Sequence, residues 1–495
     1  MPRILSIALN GCQSKPIPAR SLLKAFLVGI EFPEGPVSLF LADSAVDRTT
    51  DPLPIAPPGS PRISIVATLR FVIVGNGVAG TEAALTLRRR LSPKEATITL
   101  ISDESPYFFS RTALMYAYME RLQRRDLEPY ERAVYDRQNI ERILARVVDL
   151  NATEQAITLS DGRQLPYDRL LLATGACPRM VPFPGVDQVK EGLVHFVSLQ
   201  DLDHCESLTW STREAVVVGG GLIGVELAEA FHHHGLKVTF LVREPYFWPA
   251  ALHQEEGEMV TAHLRERGIE VCHQEEIQQI HVDEEGRVRA LDTSQNRTLA
   301  AQMLGICIGV TPNIEWLHSV ETPPEVARGL RVDRGFRTSL ENVYAAGDCA
   351  EIVTSDGSSF VETIWYSARL HGELAARSML GDSIEYRRPT FYNSSKFFEI
   401  EYTTVGQVQD LPAGTRSLFR WFPGKKISQR ILSTPEGRVL GFNMLGSRWD
   451  HTILIRWLEQ RRSLDFVRDH LRQAQFDHEF GRAPLEKMQE KESVL

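Results

Sequence analysis

The sequence predicts an α/β fold in which one nucleotide-binding β-α-β unit occurs twice, followed by a smaller C-terminal α+β domain. Three observations predict it. A continuous apolar run, Leu69–Val74, feeds a glycine-rich turn at 75–80. The same run-and-turn recurs at 215–224. Past residue 390 the texture changes to alternating strands and two helical stretches.

Each element follows from its pattern. Leu69–Val74 reads as a parallel strand apolar on both faces, which suits a sheet covered on both sides. Residues 81–91 read as a helix and Ala96–Ser102 as the next strand. In the second unit, residues 215–218 read as a strand, 225–234 as a helix and 238–242 as a strand. The halves match in order and spacing, so the chain carries a duplicated domain rather than a short-period solenoid. Between them, residues 146–150 and 156–159 read as strands, Asp161-Gly162 as a hairpin turn, and 169–174 as an apolar run that follows it. Near the C-terminus, residues 438–445 read as a strand, and 452–461 and 463–474 as helices. Residues 1–68 hold ten of the chain's 27 prolines and show no sustained period. Proline removes backbone donors and blocks helices, so this stretch reads as a disordered extension. The expected division is 69–190 and 319–388 for a first, discontinuous domain, 191–318 for a second, and 389–495 for a capping or interface domain.

Composition narrows the function. The 495 residues are 43% hydrophobic and 24% charged, and the net charge is −9. That balance offers no global basic surface, so nucleic-acid binding is set aside. No apolar run is long enough for a transmembrane helix. Residues 1–9 faintly resemble a lipoprotein signal, but the apolar core at 4–9 is too short for one. The six cysteines, at 12, 177, 205, 272, 307 and 349, form no Cys-x-x-Cys. That pattern fits a reducing compartment, and a cytoplasmic location is expected.

The two turns carry the chemistry. Gly75-Asn76-Gly77-Val78-Ala79-Gly80 is a G-x-G-x-x-G. Its first glycine makes the tight turn, the second admits a pyrophosphate to the backbone, and the third lets helix and strand pack closely. The helix N-terminus stabilises the negative charge. Strand and helix stand where a Rossmann-like unit needs them, and Asp103 and Glu104 lie 23 and 24 residues past Gly80, where a ribose-binding carboxylate belongs. Gly219-Gly220-Gly221-Leu222-Ile223-Gly224 repeats the pattern. Arg243 and Glu244 lie 19 and 20 residues past Gly224. An acid there favours the free 2′-hydroxyl of NADH, an arginine the 2′-phosphate of NADPH. Both are present and Val242 is neutral, so the balance tips slightly to NADPH.

On these residues the chain resembles the pyridine nucleotide-disulfide oxidoreductase superfamily, flavoproteins with two dinucleotide-binding domains. It is most similar to the branch of ferredoxin and rubredoxin reductases, the nitrite reductase flavin module and apoptosis-inducing factor. The likeness covers about residues 69–390. The first turn resembles the FAD pyrophosphate site. Leu170-Leu171-Leu172-Ala173-Thr174-Gly175 resembles the strand where the chain crosses between domains, and Asn342-Val343-Tyr344-Ala345-Ala346-Gly347-Asp348 the second FAD motif. The second turn, running into Val225-Glu226, resembles the nicotinamide nucleotide site, and 308–313 the strand closing that domain. The resemblance implies that FAD is held by Gly75, Gly77, Val78, Ala79, Gly80, Asp103, Glu104, Arg111, Val147, Ala173, Thr174, Gly175, Gly347 and Asp348. It implies that NADH or NADPH is held by Gly219, Gly221, Leu222, Ile223, Gly224, Arg243, Glu244 and Gly309. Glu226, Glu362 and Trp365 match residues placed near flavin and nicotinamide, and are the candidate catalytic positions. No metal ligands are implied.

Departures sharpen the reading. The stretch 110–120 holds no cysteine where disulfide reductases carry a redox pair, and Tyr116 stands where many ferredoxin reductases carry a lysine. The implied activity is an FAD-dependent NAD(P)H:acceptor oxidoreductase. Hydride passes from nicotinamide to flavin, and electrons go directly to a small electron-carrier protein or a quinone without a cysteine relay. The alternative is a redox-gated NAD(P)H-binding flavoprotein that acts through partner binding, similar to apoptosis-inducing factor. A homodimer is compatible with either. Arg416, Arg420, Lys425, Lys426 and Arg430 form a basic stretch that could dock an acidic carrier or be a solvated hairpin face. His232-His233-His234 ends a helix, where histidines suit the dipole better than a shared metal. Cys177 and Cys349 follow two of the FAD motifs and read as small buried residues.

Overall fold

The computed structural model describes residues 68–476 and 488–495. The reading of the proline-rich N-terminal stretch falls outside them, save for Thr68.

The first sheet has five parallel strands in the order Val343–Ala345, Arg169–Leu172, Leu69–Val74, Ala96–Ser102, Ile140–Leu144. Helix Val78–Arg90 leaves the first glycine turn with Gly77 as its N-cap. It begins three residues earlier than the pattern suggests, because no Ser, Thr or Asp cap advertises its start. Helix Trp365–Met379 lies against it. Gly372 permits that approach, since a Cβ there would stand 2.1 Å from the Ala79 carbonyl oxygen.

The second sheet repeats the plan in the order Glu270–His273, Lys237–Val242, Glu214–Val218, Met303–Ile306, Leu193–Val194, again all parallel. Helix Leu222–His233 leaves its glycine turn. In each sheet the strand before the glycine turn is central, with later strands added on both sides. That is a topological switch point, where a crevice opens beyond the strand ends. A two-stranded pairing of Ala176–Pro178 with Val310–Pro312 carries the chain between the units.

The hairpin at Asp161-Gly162 needs a correction. Its second strand is Gln164–Pro166, paired with Ala156–Leu159. The apolar run from Arg169 enters the first sheet instead. Leu170, Leu171 and Leu172 are fully buried there, as side chains on both faces of a covered parallel strand must be.

The C-terminal sheet is antiparallel and six-stranded, ordered Tyr392–Phe397, Ile400–Gly406, Val439–Leu445, Ser428–Ser433, Arg416–Trp421, Gln489–Val494. Helices His451–Glu459 and Leu464–His470 cover one face, with Phe442, Met444, Trp457 and Val467 between. Near the start of the sheet, Phe397, Ile400, Tyr402 and Leu445 join the core of the second unit against Phe247, Leu252 and Val260. The basic stretch is used at this seam. Arg430 is fully buried, with its guanidinium 3.0 Å from Glu256 and 2.9 Å from Glu255 of helix Gln254–Glu266. Lys426 pairs with Glu266 at 2.5 Å, Arg420 lies 3.6 Å from Glu490, and Lys425 sits over the Phe422 ring. Arg430 and Lys426 thus seat the sheet on helix Gln254–Glu266, while Arg416 and Lys425 stay exposed on the hairpin face.

Candidate functional site

The first glycine turn is built for a tight fit on two sides and an opening on the third. Gly75 has φ +112°, and a Cβ there would lie 2.0 Å from the Ala173 carbonyl oxygen. At Gly80 it would lie 1.9 Å from the Gly75 oxygen. At Gly77 it would meet nothing within 4 Å. The outer glycines are therefore demanded by packing, and the middle one faces open space beside a helix N-terminus without a side-chain cap. Its free N–H groups suit a pyrophosphate. Asn76 braces the turn, accepting from the Thr81 hydroxyl at 3.0 Å and donating to the Ser105 carbonyl at 3.2 Å.

Ala173, Thr174 and Gly175 arrive beside this turn, and the Ala173 N–H donates to the Val74 carbonyl at 2.7 Å. The Thr174 hydroxyl donates to the Asn313 carbonyl at 2.7 Å. Gly347, with φ +80°, brings Asp348 in close, 3.0 Å being all the room a Cβ would have from Ala79. Burial raises the Asp348 carboxyl to about 6 against the opposing pull of Arg111. A desolvated carboxylate in a crevice suits a ligand chain rich in hydroxyl donors. An FAD molecule therefore fits the groups present: donors at a helix start, a buried carboxylate acceptor at Asp348, and room at the middle glycine.

Glu104 and Asp103 are divided in their duties. Glu104 takes both Arg111 terminal nitrogens, at 2.8 and 3.1 Å, and the Leu199 N–H at 2.8 Å. Arg111 also donates to the Val197 carbonyl. This pair ties the first unit to helix Leu199–Thr209. Asp103 stays half-exposed at the strand end, 3.1 Å from Arg146, next to the buried Val147.

The second turn has the same three-glycine geometry. A Cβ would stand 2.2 Å from the Cys307 oxygen at Gly219 and 2.0 Å from the Gly219 oxygen at Gly224, with nothing within 4 Å at Gly221. Gly220 and Val242 fill each other's space, a Cβ on the glycine lying 2.7 Å from the valine. Leu222 and Ile223 open the helix and are half-buried, and Gly309, φ +100°, closes the loop opposite with open space beside it. Arg243 is 72% exposed and lies between two carboxylates, Glu244 at 3.1 Å and Glu276 at 3.7 Å.

Glu226 stands on the helix after this turn. The Ser395 hydroxyl donates to it at 3.4 Å, and burial raises its carboxyl to about 8. Glu362 is differently placed. It accepts from the Tyr386 hydroxyl at 2.7 Å, Arg388 at 2.8 Å and the Ser367 hydroxyl at 3.3 Å, with His371 3.3 Å away. Burial alone would push its carboxyl up, but the hydrogen bonds of His371, Tyr386 and Arg388 outweigh it and hold it at about 2. Trp365 opens its helix and lines a cavity with Val78, Thr81, Phe108, Ser110 and Arg369. Its indole N–H is buried without a partner among the described residues. Tyr386, Arg388 and Ser395 gave no signal in the sequence, because each meets its carboxylate only through the fold. The histidines diverge: His234 reaches the Tyr118 carbonyl at 2.7 Å, while His232 edges onto Phe398. Of the two cysteines read as buried, Cys349 is fully buried under Leu172, but Cys177 is only half-buried beside Thr311, because it sits on the short two-stranded pairing between the units.

Comparison with known proteins agrees with this geometry. Residues 69–372 match the family described as pyridine nucleotide-disulphide oxidoreductase. The ferredoxin–NAD(+) reductase component of the p-cumate 2,3-dioxygenase system of Pseudomonas putida is 28% identical over 404 residues, 80% of this chain and 94% of that one. Rhodocoxin reductase of Rhodococcus erythropolis is 32% identical over 354 residues, 70% of this chain and 79% of that one. Among solved structures, the covalent putidaredoxin reductase–putidaredoxin complex superposes with a TM-score of 0.70 at 24% identity, covering 80% of this chain and 94% of that one.

Proposed function

The chain belongs to the pyridine nucleotide-disulphide oxidoreductase family of FAD- and NAD(P)H-dependent enzymes, and we propose that it takes electrons from NADH through FAD directly to a small electron-carrier protein. The observation that carries this reading is the duplicated glycine turn, with two glycines in each locked by packing and the middle one open, on a chain with no cysteine at 110–120.

Bound FAD would supply hydride acceptance and electron release. The chain's own residues do the rest. The N–H groups around Gly77 and the start of helix Val78–Arg90 bind the pyrophosphate, Asp348 accepts from ribityl hydroxyls, and Asp103 takes the adenosine ribose. The N–H groups around Gly221 bind the nicotinamide nucleotide. Glu362 acts as a positioning residue: with its oxygens engaged, it fixes the start of the helix that carries Trp365. NADH is preferred over NADPH because Arg243 already lies between Glu244 and Glu276, so a 2′-phosphate meets two carboxylates there. A protein carrier is preferred over a quinone because two of the similar proteins are named as ferredoxin–NAD(+) reductase components.

Anaerobic stopped-flow titration with NADH and then NADPH tests the reading. Rapid bleaching of a flavin band by NADH, followed by reoxidation with a ferredoxin, is expected. Absence of bound flavin, or reduction by neither nucleotide, would overturn it. Reduction only over minutes would favour the redox-gated binding alternative.

A further inference from the structure

The last strand of the C-terminal sheet, Gln489–Val494, is attached by its backbone and its charges. It pairs antiparallel with Arg416–Trp421 along its whole length, from Gln489 opposite Trp421 to Val494 opposite Arg416. The Leu495 N–H then donates to the Thr415 carbonyl at 2.8 Å. None of the six side chains is buried: Ser493 is half-covered and the others are exposed, Val494 at 71%. Burial of apolar surface therefore does not hold this strand.

Its ion pairs make a code. Glu490 and Glu492 project from one face, where Arg468 of helix Leu464–His470 lies 3.7 and 3.0 Å away and Arg420 lies 3.6 Å from Glu490. Lys491 projects from the other face, 3.7 Å from Glu255 of helix Gln254–Glu266. Successive side chains of a strand alternate faces, so a slip of one residue turns the lysine toward Arg468 and the glutamates toward Glu255. The edge thus selects an extended segment with acid, base and acid at consecutive positions, in one register. It also needs a cover. Bare, Arg416–Trp421 would present unpaired N–H and C=O groups beside the stacked rings of Phe419 and Trp421, 5.4 Å apart, and such an edge is a template for another strand.

We propose that this edge joins two copies of the chain: the C-terminal strand of one copy leaves its own sheet and fills the same edge of a second, and the second returns its strand to the first. The sequence that fits the code is carried by every copy, so the exchange keeps each backbone bond and each ion pair. Residues 477–487 stand between the described parts, and a chain of that length reaches about 40 Å at full extension. A strand held at the surface opens at low cost, and exchange of an identical element is a low-cost route to a dimer. Simple edge-to-edge contact is the poorer arrangement. Two such strands laid antiparallel and centred on Lys491 set lysine opposite lysine and Glu490 opposite Glu492. Salt screens the exposed pairs and so loosens the strand.

Cysteines at two facing positions read the exchange directly. A full-length chain with both Arg416→Cys and Val494→Cys is incubated at rising concentration and then joined with a short bis-maleimide. A chain that keeps its strand gives an internal link and runs as a monomer on a denaturing gel, whereas an exchanged pair gives a covalent dimer. The expected result is a dimer band that grows with concentration and is lost in each single-cysteine variant. An internal link alone at every concentration would overturn the proposal, and so would the absence of any link. Charge reversal tests the code at exposed positions. Arg468→Glu alters the edge and leaves the strand, while Glu490→Lys with Glu492→Lys alters the strand and leaves the edge. Each variant alone should stay monomeric by light scattering, and the two mixed should form a one-to-one dimer, because each strand then meets an edge of opposite charge. Absence of a dimer on mixing would show that these charges do not select the strand, and would overturn the code.

Discussion

The two glycine turns share a backbone and differ in how they are braced. In the first, Asn76 links the turn to Thr81 and Ser105. Helix Trp365–Met379 crosses behind it so closely that only Gly372 fits. In the second, the matching residue is Gly220, which makes no side-chain bond and is merely packed against Val242. Each turn is held within its own unit, the first by side-chain hydrogen bonds and a crossing helix, the second by packing against Cys307, Val242 and Phe240. One motif thus serves two kinds of ligand: a braced turn suits a cofactor kept through many cycles, and a bare one suits a coenzyme that enters and leaves each time. Pre-organisation lowers the ordering cost of binding, and looser construction permits exchange.

The largest test of that comparison exchanges the outer glycines. Gly75→Ala forces a side chain to within 2.0 Å of a carbonyl at φ +112°. Strain and overpacking together cost about 3 kcal/mol or more. The protein should lose its flavin absorbance and melt early. Gly219→Ala meets an equal clash, 2.2 Å at φ +114°, but in the other unit. It should keep the flavin and lose response to NADH. Loss of both ligands in both variants would show that the two crevices are not separable. The open middle positions provide the control: Gly77→Ala and Gly221→Ala should leave melting within about 0.5 kcal/mol of wild type while each weakens only its own ligand.

A smaller effect isolates the brace itself. Asn76→Ala removes two hydrogen bonds worth about 1 kcal/mol each and leaves Thr81 short of a partner. Flavin should dissociate measurably faster during gel filtration at low concentration, while NADH affinity of the fraction still loaded stays the same. An unchanged flavin off-rate would mean that the crossing helix, not Asn76, supplies the bracing.

What the sequence made legible follows from distance along the chain. Both turns, their strands and most of their helices are local patterns, and Leu69–Val74 and Ala96–Ser102 emerge with the bounds that periodicity suggests. The cationic stretch around Arg430 was open to a docking reading because its partners were invisible: Glu256 lies 174 residues away. Lys426 and Arg420 likewise find carboxylates on other elements. Glu362 is a similar case. The resemblance puts Glu362 near the flavin, and its oxygens are taken by Tyr386 and Arg388, brought back by the chain beyond that helix, which no local pattern shows. Charges and polar groups announce their type in sequence but not their partner, whereas a glycine spacing announces its own geometry.

Asp348 offers the subtlest contrast between the two crevices, since the loop closing the second one, around Gly309, carries no acid. Its carboxyl stands near 6 in the folded chain, above the ordinary aspartate value near 3.9. A group raised in this way favours the folded state most fully below its unfolded value, and that contribution is lost as pH rises through the folded one. Flavin-stripped wild type should therefore lose stability between about pH 4 and pH 6 at this site, and Asp348→Asn should lack that increment. At pH 7 the stripped variant should melt slightly higher than stripped wild type, yet release FAD more readily when loaded, because the charge that strains the empty crevice is the one that accepts the ligand's hydroxyls. A variant with an unchanged melting profile from pH 4 to pH 7 would place Asp348 outside the crevice, and the first turn would then have to hold its cofactor by the brace and the helix N-terminus alone.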